Sequence, residues 1–183
     1  MSLRKTLPPL VLVTAFYIFA EPKPAYGQLC TSMAISVATA PGGATVTGGG
    51  GAFSVSFGNV NGLGIFTPAA GVSVSQSSSG ATYTTPVRVT VSYVACVGGT
   101  RSTRIYQDST TSSASRSAAR EGATAASVIS VPTSQASATT INTSPPSGTT
   151  ITRFVGVFAS NANGASAVTG TLAPKFIYQL VSQ

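Results

Sequence analysis

The 183-residue chain has no histidine, no tryptophan and only three acidic residues, Glu21, Asp108 and Glu121. Without histidine the commonest general base near neutral pH is missing, and no Ser-His-Asp triad can be built. Two cysteines without a histidine cannot complete a structural zinc shell. Charged residues make up 7% of the chain, against about 25% in an ordinary soluble domain. With 19 Gly and 11 Pro and few strong helix formers, the composition argues against long helices. The lack of Trp, with the Tyr residues scattered, leaves few platforms on which a sugar would stack.

The remaining polar groups give catalysis little to work with. Asp108 and Glu121 are the only carboxylates after the N-terminal segment. They read as surface charges beside arginines, not as the positioned pair of a glycosidase. Lys175, the one lysine available to a Ser-Lys dyad, reads as a solvated strand residue. Gly48 to Gly51 lacks the Gly-Lys-Ser/Thr ending of a phosphate loop. No enzyme activity, cofactor or metal is expected.

What is present begins with an export signal. Arg4 and Lys5 precede an apolar run, Leu10 to Ala20, and Ala25-Tyr26-Gly27 offers small residues three and one before a cut. This is the layout of a secretory signal peptide over residues 1–27. Cleavage after Ala20 is the alternative to cleavage after Gly27. The run is short for a bilayer span, which needs roughly 20 apolar residues. An uncleaved anchor and a lipoprotein are the other readings, but Leu29 stands where lipoprotein processing needs a small residue before Cys30. A secreted, periplasmic or cell-surface location is expected, with no stable membrane span after cleavage.

The formal charge of +7 falls to +5 once Arg4, Lys5, Lys23 and Glu21 are removed. The high pI therefore reflects missing acids. Arg101, Arg104, Arg116 and Arg120 form a candidate basic patch, with a solvated loop as the alternative. No nucleic-acid-reading motif accompanies them, so no nucleic-acid partner is expected. Cys30 and Cys96 are the only cysteines. An even count in an oxidising compartment suggests a disulfide between them. Closing so long a loop would contribute roughly 4 kcal/mol in the chain-entropy account.

Residues 28–183 read as one domain rich in period-two alternation. Met33, Ile35 and Val37 alternate with Ser and Ala; Phe53, Val55 and Phe57 alternate with serines; Val72 and Val74 do the same. Val87, Val89, Val91 and Tyr93 alternate with Arg88, Thr90 and Ser92, which predicts valines inward and polar partners in water. Ile105-Tyr106, Val128 to Val131, Thr150 to Ala159 and Leu172 to Val181 add further strands. Gly48 to Gly51, Gly58-Asn59, Asn61-Gly62, Gly98-Gly99 and Asn163-Gly164 punctuate them as turns. The expectation is an all-β antiparallel sandwich of about 7–8 strands. Residues 109–150, dominated by Ser, Thr and Ala, read as a surface excursion with one short strand around Val128. A weak helix over Ala114 to Ala126 is an alternative there.

The stretch from Phe53 to Cys96 resembles bacterial spore-coat-U-like and chaperone-usher pilin-like domains. The likeness lies in a cysteine soon after the signal peptide, FGNVNG at Phe57 to Gly62, GVSVS at Gly71 to Ser75 and YTTPVRVTVSY at Tyr83 to Tyr93. The ending from Lys175 to Gln183, with Tyr178, is also similar. The resemblance implies an immunoglobulin-like sandwich and an exported structural or adhesive role without catalysis. It implies as partners other pilin-like subunits, or copies of the chain itself, joined by β-strand addition. Only Gln28 and Leu29 would precede Cys30 after cleavage at Gly27, so the donor arm of an assembling pilin is missing from that position. A freely secreted monomeric binding module for carbohydrate or an anionic polymer is the alternative function.

Overall fold

The computed structural model describes residues 30, 32–94, 101–108, 117–143, 145–162 and 170–182. The signal segment, Cys96, Arg116, Gly98-Gly99 and Asn163-Gly164 lie outside the described residues. Among those described there are thirteen strands and two single-turn 3-10 segments, Ala125–Ser127 and Gln135–Ser137. No helix in this part is long and apolar enough to cross a membrane.

One sheet runs β1 (Ser32–Thr39), β6 (Gly80–Val94), β11 (Thr150–Ser160), β8 (Ser117–Gly122), β9 (Ile129–Ser130), with β5 (Ser73–Ser77) also on β6. The second runs β10 (Thr139–Thr143), β7 (Arg101–Gln107), β13 (Lys175–Ser182), β3 (Ala52–Val55), β2 (Val46–Gly49). A small ribbon joins β4 (Asn59–Val60) to β12 (Gly170–Thr171). Every pairing is antiparallel. The two large sheets pack face to face as a β-sandwich.

The core follows from alternation. Ala81, Tyr83, Thr85, Val87, Val89 and Val91 of β6 are buried, while Arg88 and Ser92 are exposed. Val155, Val157 and Ala159 of β11 continue this inner face. Phe53, Val55, Ile105, Phe176 and Tyr178 meet them from the other sheet. The Phe53 ring stacks on Phe176 and on Tyr178, with centroids 5.5 and 5.7 Å apart.

Pro86 sits in the middle of the fifteen-residue strand β6, a position that normally excludes proline because the ladder loses a donor. Here β5 pairs β6 up to Thr84, and β1 begins at Val87. Pro86 therefore falls in the gap between two neighbours on one side of β6. Thr85 bridges that gap: its buried hydroxyl accepts from Ala44 N–H and donates to the Gly71 carbonyl, both at 2.8 Å. Gly71 has φ of +80°, and a Cβ there would lie 2.4 Å from the Gly43 carbonyl carbon. Glycine is required by both the backbone angle and the close approach.

The Ser/Thr/Ala-rich stretch departs from the surface excursion expected at 109–150. β8 is an interior strand of its sheet, paired on both sides, with Ala119 and Glu121 buried. Neither a helix over 114–126 nor a single short strand describes it. Its alternation is carried by Ala and a glutamate, so hydrophobicity alone does not reveal it. β9 falls on the strand expected at Val128 to Val131, and the strand total exceeds 7–8 because β2, β4, β8, β10 and β12 are short or rich in Gly, Ala, Ser, Thr and Asn.

Candidate functional site

The least expected group in the interior is a carboxylate. On β8, Glu121 shares the inward face with Ala119 and is 2% exposed. It lies opposite Val155 of β11 and Ile129 of β9. The reading of Glu121 as a surface charge is overturned by this burial. A lone buried carboxylate is costly, and two partners offset that cost. Arg153 donates from Nε to Oε1, and the Tyr178 hydroxyl donates to the same oxygen at 3.1 Å. The two partners come from different sheets, so the glutamate ties the layers together.

The network sets protonation states. Burial, then the nearby Glu121 charge, pushes the Tyr178 hydroxyl well above its ordinary value, so it remains a donor. For Arg153, burial works against the charge, but the hydrogen bond and charge of Glu121 outweigh it and raise its pKa. Stacking on Phe53 fixes where the Tyr178 oxygen stands.

Glu121 and Arg153 open onto a cleft of about 270 Å³ at one side of the sandwich. Gly122, Ala123 and Ser127, Ile129 of β9, and Thr139, Thr140 and Ile141 of β10 also line it. Ile129 is 56% exposed. The cleft thus lies between the last strands of the two sheets.

The structure does not gather the candidate basic patch. Arg104 shares a face with Gln179, away from the inward Tyr178 and Leu180. Arg120 shares a face with Gly156 and Ser130, away from the inward Glu121, and its guanidinium lies over the Phe158 ring. These are the outer faces of opposite sheets. Arg101 lies over the Tyr93 ring, 4.3 Å from its centroid, and Arg116 is outside the described residues. Lys175 is partly exposed, as expected, and pairs with Asp108 at 3.0 Å.

Two other surfaces stand out. The loop after β4 presents Leu63, Ile65 and Phe66 to solvent, with Ile65 67% exposed. Its base is anchored by Tyr83, whose hydroxyl accepts from Asn61 N–H and donates to the Asn61 carbonyl. The second surface is an open edge. β13 pairs β3 only through Lys175 to Ile177, after which Tyr178 N–H reaches the Gly51 carbonyl. From Gln179 to Ser182 that edge has no strand partner among the described residues. β1 comes close without pairing to it. The partly exposed Met33 and Val94 lie at the same end.

No family model, curated protein or solved structure matches the chain.

Proposed function

We propose that the chain is an exported structural or adhesive surface protein, pilin-like or coat-like, which acts through its sheet edges without catalysis. The observation that carries this reading is the edge of β13 from Gln179 to Ser182, which has no strand partner among the described residues. An unpaired edge within a packed sheet is a template for strand addition. A neighbouring copy or a related subunit would supply the strand. The immunoglobulin-like character and the pilin and spore-coat likeness belong to the same reading, as do the signal peptide and a secreted or cell-surface location.

The disulfide is part of it. β1 pairs β6 with Ser32 opposite Val94. Cys30 carries no free thiol. A Cys30–Cys96 bridge would clip neighbouring strands at the end of the sandwich where the open edge lies.

The test is to express the chain with its own leader in a bacterial host and recover the exported protein. Size-exclusion chromatography and negative-stain microscopy of the unboiled, non-reduced sample should show oligomers or filaments. Its intact mass should lack residues 1–27 and two hydrogens. A compact monomer at all concentrations would contradict self-assembly.

The cleft beside Glu121 supports the second reading, a secreted binding module. Its carbohydrate version is favoured over an anionic polymer, because Arg104 and Arg120 lie on opposite outer faces.

A further inference from the structure

We infer that the cleft between β9 and β10 binds a single neutral sugar ring, gripped through adjacent hydroxyls by Glu121 and Arg153. The inference rests on the second reading, the binding module, and gives it a ligand and a place.

The argument starts from unused hydrogen-bonding capacity. Arg153 contacts Glu121 through Nε alone, and Tyr178 donates to the same carboxylate oxygen. The second carboxylate oxygen makes no hydrogen bond within the described structure, and the Arg153 guanidinium, which also interacts with the Tyr178 hydroxyl, keeps donors to spare among its five N–H groups. Both residues line the cleft. Its floor therefore offers a strong acceptor beside strong donors, on a pair that is neutral as a whole. A vicinal diol matches this arrangement: one hydroxyl donates to Glu121 and its neighbour accepts from Arg153. A carboxylate ligand would meet the charge of Glu121, and an ammonium that of Arg153, so sugar acids and amino sugars fit less well.

The walls suit the rest of a ring. Thr139 and Thr140 add hydroxyls, while Ile129 and Ile141 offer apolar surface to a C–H face. A volume of about 270 Å³ sits at the small end of ligand pockets and suits one ring rather than an oligosaccharide. Edge hydroxyls hold the ring, so no aromatic platform is needed. A peptide strand is the poorer occupant. β9 is two residues long and β10 carries a bulge between Thr140 and Asn142; short and bulged edges resist strand addition.

The test is an NMR titration of the ¹⁵N-labelled exported protein with the methyl glycosides of glucose, galactose and mannose. At least one should shift the amides of Gly122 to Ser127 and Thr139 to Ile141 in a saturable way. Ala123→Phe places a ring in the mouth at an exposed position. It should weaken that binding by about tenfold or more with its thermal midpoint unchanged. The glucuronic acid and glucosamine counterparts should bind about tenfold more weakly than the neutral glycoside. No shift at these amides with any glycoside, shifts confined to Leu63–Phe66, or equal binding by Ala123→Phe would overturn the proposal. The titration reads the cleft whether or not the protein assembles, so its failure and a failure of edge assembly are distinguishable.

Discussion

At the scale of single residues, the Glu121–Arg153–Tyr178 network decides most. Removing one member of a buried ion pair leaves an uncompensated charge, which costs about 3 kcal/mol or more. Arg153→Leu should show such a loss in urea denaturation. Adding Glu121→Leu should recover much of it, because the double change leaves no buried charge. A double variant less stable than Arg153→Leu alone would contradict the pairing. Tyr178 gives a pH signature. Its folded-state pKa lies above the ordinary value of about 10. Above that pH the unfolded chain releases a proton that the folded chain keeps. Stability is therefore fully present below about pH 10 and falls as pH rises beyond it. Tyr178→Phe should flatten that fall, while costing a hydrogen bond at neutral pH. Little of the network is legible beforehand. A glutamate in a polar stretch looks solvated, and only its two-residue spacing from Ala119 hints that it shares an inward face. Its partners lie 32 and 57 positions away in sequence, so nothing local pairs them with it.

At the scale of elements, β6 organises the molecule. It accepts β1 and β5 on one side and β11 on the other, and Pro86 marks where the neighbour changes. Thr85 replaces the missing ladder contacts there. Thr85→Val keeps the shape but strands the Ala44 N–H and the Gly71 carbonyl, a loss of about 1–3 kcal/mol. Denaturant melts of this variant should show it, and a change below about 0.5 kcal/mol would mean that the hydroxyl is dispensable. The legible strands, β1, β3, β5, β6, β7, β9, β11 and β13, all carry Val, Ile, Phe or Tyr. β8 and β10 were obscured because Ser, Thr and Ala tolerate burial and exposure alike. Their strand state is imposed by the neighbours they pair with, β11 and β7, more than by intrinsic propensity.

At the scale of the whole molecule, the two sides of the sandwich differ. On one, β9 and β10 flank the cleft beside Glu121 and are too short or irregular to invite a strand. On the other, β13 leaves Gln179 to Ser182 open beside β1, with partly exposed Met33 and Val94 at the same end. On the proposed reading, recognition and assembly would fall on separate surfaces, so that a subunit could bind a ligand while held in a larger structure. The most direct measurement of the central claim is amide hydrogen exchange across β13 on the exported, oxidised protein, followed over a wide range of concentration. If a strand adds to this edge, protection of the Leu180 and Ser182 amides, which face it, should rise with concentration, while that of Gln179 and Val181, which face β7, and of Tyr178, bonded to Gly51, stays constant. Protection of Leu180 and Ser182 that does not change with concentration, or that rises only along β10, would contradict assembly through β13.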